Sequence, residues 1–263
     1  MSERVKISID GHVAAVTLNR PDKHNAVDLK MFAALAAAGE QLATNRSVRA
    51  IVLRGAGKSF CAGVDLSIFQ QGDGTLGPEM MAPGETSPAN FFQRAATIWR
   101  EVPVPVISAL HGTVFGAGLQ IALGADLRFA SSDCRMSVME IKWGIIPDMA
   151  ISTTLPRIMP LDKIKELAWT GRIVSGEEAL DLGLVTALHA DPFAAAIETA
   201  GLIAGRSPAA VRAIKRLFDE SATMDVSKAL QLEAELQLAL LGSADQAEAV
   251  MANLEKRDPN FEG

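Results

Sequence analysis

The chain has 263 residues, of which 49% are hydrophobic and 21% charged, and it carries a net charge of −6. This composition fits a soluble globular protein with one large domain, or one domain plus a small appendage. It argues against a membrane span, a nucleic-acid partner, a disulfide framework (Cys61 and Cys134 are the only cysteines) and any tyrosine-based chemistry, since Tyr is absent.

The first residues, MSERVKISIDGH, contain no secretory apolar stretch, so the expected compartment is the cytoplasm. Residues 4–9 and 12–18 are β-branched or alternating, and Gly11-His12 between them predicts a hairpin. Asp28 opens an Ala/Leu-rich helix to about residue 44. Residues 48–53 form a short apolar strand, and 71–88, rich in Gly and Pro, read as a mobile loop. A helix over roughly 89–101 leads to a buried strand at 104–110, then to HGTVFGAGLQIAL (111–123), and then to a strand at 125–130. Beyond residue 150 helix starts dominate. Asp148, Ser175 with Glu178 as a capping box, Asp191-Pro192 and Ser207-Pro208 are the expected caps. The chain therefore divides into an α/β part, 1–190, and a helical part, 191–263, whose surplus of Leu, Ala and Val predicts subunit contacts.

Several familiar sites fail on spacing. GAGKS (55–59) lacks the first glycine of a P-loop, because that position is Val52. In the two glycine clusters the third glycine of a dinucleotide fingerprint is replaced by Phe60 and by Ile121. No G-x-S-x-G elbow occurs, and the four histidines have no metal-ligand spacing. No metal and no separate cofactor is therefore expected. What remains is three stretches that put glycine and a turn after a strand, where ligands sit in α/β folds: 59–66, 115–120 and 139–148.

Taken in order, LNRPDKHNA (18–26), FCAGVDL (60–66), HGTVFGAGLQIAL (111–123), MEIKWGIIPD (139–148) and LEKRDPNF (254–261) resemble the crotonase superfamily, the enoyl-CoA hydratases and isomerases. The resemblance implies an α/β fold: a crotonase-type spiral of ββα units, with a C-terminal all-helical trimerisation region that assembles a homotrimer or a hexamer built as a dimer of trimers. It implies a CoA-thioester substrate, with CoA as part of the substrate. It places two oxyanion-binding N–H groups at Val64 and Ala117, beside Gly63 and Gly116. By the same resemblance Lys23, His24, Ala26, Ala62, Asp65 and Leu66 contact the ligand. Lys256 reaches it, often across a subunit boundary.

One departure bears on the reaction. Where the family's hydratases carry two glutamates, this chain has Gln120 and Glu140. An amide holds water but does not titrate in the working range. Glu140 and Asp148 match two of the three acidic positions of the dienoyl-CoA isomerases. The expected activity is therefore a double-bond shift on an enoyl- or dienoyl-CoA, with Glu140 as acid and base. Two alternatives stand beside it: a hydratase with altered proton transfer, and a non-catalytic acyl-CoA-binding homologue. The residues alone also allow Glu140 to be a carboxylate on a surface strand, from the alternation of Ile141, Trp143 and Ile145, and Asp148 to be a helix cap.

Overall fold

The computed structural model describes residues 3–70, 77–85 and 87–262. The hairpin forms as expected: β1 (Val5–Asp10) and β2 (Val13–Leu18) pair antiparallel, with Asp10 opposite Val13. Helix α1 (Leu29–Thr44) follows, and the Asp28 carboxylate accepts from Met31 N–H at its start. Strand β3 (Ala50–Gly55) then joins β2 in parallel. Two single-turn helices follow: α2 (Ser67–Gln70) just before the stretch read as a loop, and α3 (Pro78–Met81) within it. Residues 71–76 and 86 of that stretch lie outside the described residues.

Helix α4 (Phe91–Glu101) begins with a full capping box between Asn90 and Gln93. Strands β4 (Val106–Leu110), β5 (Thr113–Phe115), β6 (Leu127–Ala130) and β7 (Arg135–Ser137) surround helix α5 (Ala117–Leu123). The strands expected from 104 and from 125 each start two residues later. Pro105 has no N–H to give to a ladder, although its carbonyl accepts from Ile51 N–H. The three-residue strands β5 and β7 are too short to show a period in the sequence. Then come α6 (Ile151–Thr154), α7 (Leu161–Thr170), β8 (Val174–Ser175), α8 (Gly176–Asp181) and β9 (Ala187–Leu188). The chain ends in α9 (Pro192–Ala204), α10 (Pro208–Ser221), α11 (Val226–Leu240) and α12 (Ala244–Glu255).

The described strands form a six-stranded sheet in the order β1-β2-β3-β4-β6-β9 and a three-stranded sheet in the order β5-β7-β8. Both faces of the large sheet are covered, which is why β3 and β4 read as apolar runs and not as alternation. Ile51 and Leu53 point into the main core with Phe32, Leu35 and Trp99, while Ala50 and Val52 point the other way, toward Ala196 and Ala200 of α9. Helix α9 lies against β2, β3, β4 and β6, so the first helix of the 191–263 region rests on the α/β core. Helices α10, α11 and α12 keep much of their apolar side chains outside, with Phe218, Val226, Leu238 and Leu254 all exposed. No helix among the described residues is long and apolar enough to cross a membrane.

Asp191 and Ser207 cap their helices as predicted. Ser175 caps α8, but the box is only half made, because the Glu178 carboxylate turns to Arg172. Asp148 does not cap α6. Ala150 holds that position in the left-handed region at φ 64°, without a side-chain cap. The helix starts two residues later than a capping Asp148 requires, so its carboxylate is not committed to backbone N–H groups there.

Candidate active site

Two turns bring unpaired N–H groups together. In the first, Val27 N–H donates to Gly63 C=O and Asp65 N–H donates to Val27 C=O. Val64, between them, keeps its N–H facing away from this bridge. Gly63 makes the turn at φ +101°, and a side chain there would press on Phe115 C=O. In the second, Gly116 sits at φ 50° and ψ −121°, and its N–H donates to Ser137 C=O. Ala117 is then the first residue of α5, with an N–H that the helix cannot use. Neither Val64 nor Ala117 N–H has a protein acceptor among the described residues. Gly118 lets the start of α5 lie against the other turn, since a Cβ there would stand 2.6 Å from Cys61 C=O. The Cys61 thiol donates to Asn25 C=O, and complete burial pushes it up to about 12, so it is a packing group here.

Both N–H groups open on a cavity of about 360 Å³. Its lining includes Gly63, Val64, Gly116, Ala117 and Glu140, together with Lys23, Ala26, Ala62, Asp65 and Leu66. Phe69, Phe115, Met139, Trp143 and Ile145 give it an apolar wall. These last residues carried no signal in the sequence beyond their hydrophobicity.

Glu140 begins a 3₁₀ turn (Glu140–Trp143), not a strand. Burial along this stretch does not alternate as a surface strand requires, since residues 141–146 are all exposed. Glu140 is buried at 7% exposure, while Ile141, Trp143 and Ile145 are exposed. Glu140 Oε1 accepts from Gln120 Nε2 at 2.6 Å, and Oε2 is buried without a partner. Burial raises the Glu140 carboxyl above its ordinary value, and the charge of Asp148 adds to this against the opposing hydrogen bond from Gln120. Asp148 is itself half-buried and raised by that burial.

Gln120 is 2% exposed and does not line the cavity. Its Oε1 accepts from Met149 N–H at 2.8 Å. Because a backbone N–H only donates, the amide orientation follows, and Nε2 is the end that faces Glu140.

The remaining predicted contacts separate into those at the cavity and those behind it. His24 and Asn25 form a left-handed turn at φ 48° and 56°. His24 Nδ1 meets Ser59 Oγ at 3.0 Å instead of the cavity, and its carbonyl accepts from Ala62 N–H. Asn25, fully buried, donates to Ala56, Ser59 and Phe60 carbonyls and so ties the Lys23 turn to the oxyanion turn. Sequence reading passed over Asn25, since nothing in the chain signals a buried side-chain clamp. The Asp65 carboxylate is held by Ser67 N–H and by Arg20 at 2.5 Å, which keeps it down at about 2. Its charge is therefore spent on the loop. Lys256, in the left-handed region at φ 55°, ends α12 and does not line this cavity.

The family model for enoyl-CoA hydratase/isomerase matches residues 8–263. The chain is 33% identical over 266 residues to the peroxisomal Delta(3,5)-Delta(2,4)-dienoyl-CoA isomerase of Arabidopsis thaliana, covering 98% of this chain and 96% of the relative. It is 32% identical over 266 residues to the 1,2-epoxyphenylacetyl-CoA isomerase of Escherichia coli K12, covering 100% of both. Among solved structures, the enoyl-CoA hydratase of Bacillus anthracis superposes with a TM-score of 0.91 at 28% identity, covering 99% of each chain. The chain thus belongs to the enoyl-CoA hydratase/isomerase family, within the crotonase superfamily, and has its fold.

Proposed function

We propose that this protein moves a carbon–carbon double bond in an enoyl-CoA thioester, with Glu140 as the proton carrier. The observation behind this reading is the single unpartnered oxygen of Glu140, buried beside a cavity that also receives the Val64 and Ala117 N–H groups. The thioester oxygen docks on the two N–H groups. Glu140 Oε2 takes a proton from C2 of a 3-enoyl chain, and the C–H electron pair moves into the thioester as an enolate. The proton returns at C4 as the electrons flow back, leaving the double bond between C2 and C3. Nothing is oxidised or reduced, so the step needs no nicotinamide. CoA enters as part of the substrate. Asp148, whose charge acts on Glu140 although it does not line the cavity, is the candidate second carboxyl where the proton travels further, as in a 3,5-diene.

Hydration needs a second titrating group opposite the first. At that position Gln120 is an amide with both ends engaged. The two readings separate on substrate. A 3-enoyl-CoA gains conjugated enoyl-thioester absorbance with this enzyme, while crotonyl-CoA loses its absorbance slowly or not at all. Efficient hydration of crotonyl-CoA with the 3-enoyl compound untouched replaces the isomerase with a hydratase. Binding of several acyl-CoAs without turnover of any makes the protein a binding homologue.

Gln120→Glu tests the arrangement further. Two carboxylates at the 2.6 Å spacing of the present hydrogen bond hold one proton between them. Isomerase activity at neutral pH falls, and the acid limb of its pH–rate profile moves upward. A profile identical to wild type separates Gln120 from Glu140 in solution. Asp148→Asn lowers turnover of a 3,5-dienoyl-CoA more than that of a 3-enoyl-CoA, and equal rates on both substrates assign Asp148 no part in proton transfer.

The exposed apolar side chains of α10–α12 support a trimer or hexamer as the working form. Assembly is then the means by which Lys256 meets a neighbouring site, and sedimentation at micromolar concentration reads it directly.

A further inference from the structure

Behind the cavity runs a line of amides that the proposed reaction does not itself use. At the start of α4, Asn90 N–H donates to Gln93 Oε1 at 3.0 Å. Gln93 Nε2 donates to Asp148 C=O at 3.2 Å. The other side of the same peptide, Met149 N–H, donates to Gln120 Oε1 at 2.8 Å, and Gln120 Nε2 donates to Glu140 Oε1 at 2.6 Å. Every donor points toward Glu140. The Gln93 amide, the Asp148–Met149 peptide and the Gln120 amide are therefore stacked head to tail and end on the carboxylate. Backbone groups at the outer ends fix both glutamine orientations.

We infer that Gln93 is a positioning residue for the proton-transferring carboxyls, acting through the Asp148–Met149 peptide and Gln120 on Glu140. This rests on the isomerase reading of the site. The physical basis is twofold. Hydrogen-bonded amides in a line polarise one another, so the last donor is stronger than an isolated amide and favours ionised Glu140. The grip is also mechanical. Ala150, directly after the held peptide, sits at φ 64° and ψ 14°, a conformation that an alanine keeps only when its surroundings hold it there. With Asp148 C=O and Met149 N–H both tied, the turn that carries Asp148 has one arrangement relative to Glu140. Gln93 itself does not line the cavity.

Gln93 also completes the capping box of α4, and the test must separate the two roles. Gln93→Glu keeps an acceptor for Asn90 N–H but has nothing to donate to Asp148 C=O. Gln93→Met loses both bonds without adding charge. Both variants are expected to bind a saturated acyl-CoA like wild type and to lose roughly 10–100-fold in kcat. The acid limb of the pH–rate profile moves upward in both. Only Gln93→Met lowers Tm clearly. If Gln93→Met lowers Tm with an unmoved profile, Gln93 is a helix cap alone. If the profile moves in Gln93→Glu but not in Gln93→Met, the added charge is the cause. Either result overturns the inference. A carboxyl-¹³C titration of Glu140 in ligand-free wild type and Gln93→Met gives the same answer without any turnover. It therefore stands even if the reaction assigned above is wrong, whereas failure of that reading shows as no turnover of enoyl-CoA by wild type.

Discussion

Glu140→Gln is expected to lose turnover by about 10²–10⁴-fold while the fold and acyl-CoA binding persist. The side chain keeps its size and can still place an oxygen toward Gln120 Nε2, so the amide contact at Oε1 survives. What disappears is the proton acceptor at Oε2, which has no protein partner to lose. The same variant carries a second, opposite signature in stability. The Glu140 carboxyl is raised above its ordinary 4.5 in the folded protein, with burial the main cause. Between 4.5 and the raised value the folded state binds more protons than the unfolded one, so this group's contribution to stability falls as pH rises through that window. Above that window the raised carboxyl is a net cost to the fold. Gln, which never ionises, removes that cost. Thermal unfolding should therefore show a higher Tm for the variant at pH 7 and no gain well below pH 4.5, where both states of wild type are protonated. Loss of activity with gain of stability in one substitution is the mark of a site residue held against its preference. Wild-type turnover in Glu140→Gln would return the carboxylate to a purely structural role.

Gly116→Ala is expected to cost about 10²–10³-fold in kcat, the effect of misplacing one oxyanion donor. The backbone at φ 50° and ψ −121° is a region that essentially only glycine enters, and holding Ala there costs about 1–3 kcal/mol. The new Cβ would also lie 3.1 Å from Glu140 Oε1, so Glu140 and the Ala117 N–H are disturbed together. Gly11→Ala is the control. It has a similar φ of +53° in the β1–β2 turn, but nothing lies within 4 Å of the added carbon. It should lower Tm and leave kcat alone. Equal kcat in the two variants would mean that the Gly116 turn does not place a reacting group.

Much of this molecule was legible in the chain because the signals involved are local. The hairpin follows from alternation around Gly11-His12, and α1, α9 and α10 follow from their caps at Asp28, Asp191 and Ser207. The two glycine turns also announced themselves, since left-handed and tightly packed backbone positions select glycine whatever lies around them. The family resemblance then placed Val64, Ala117 and Glu140, and these three do share one cavity.

The roles of the polar side chains were not legible in that way. Local pattern left Asp148 a cap and Glu140 a strand residue, because a short polar side chain before an apolar run is an N-cap signal and alternation is a strand signal. Tertiary contacts overrode both: α6 starts beyond Asp148, and Glu140 is buried on a 3₁₀ turn while Ile141, Trp143 and Ile145 stay exposed. Gln120, at the position of a hydratase glutamate by resemblance, bridges Glu140 and Met149, residues 20 and 29 positions away. Gln93 gave no functional signal, because its partner Asp148 C=O is 55 residues distant. The sequence by itself determined the fold, the family and the two glycine-built N–H donors, since backbone conformation and apolar period are written into neighbouring residues. Which polar group faces the cavity, which is spent on the frame and which carboxyl keeps a free oxygen were decided only by the tertiary structure, since a hydrogen bond depends on distance and angle in space and leaves no period in the chain.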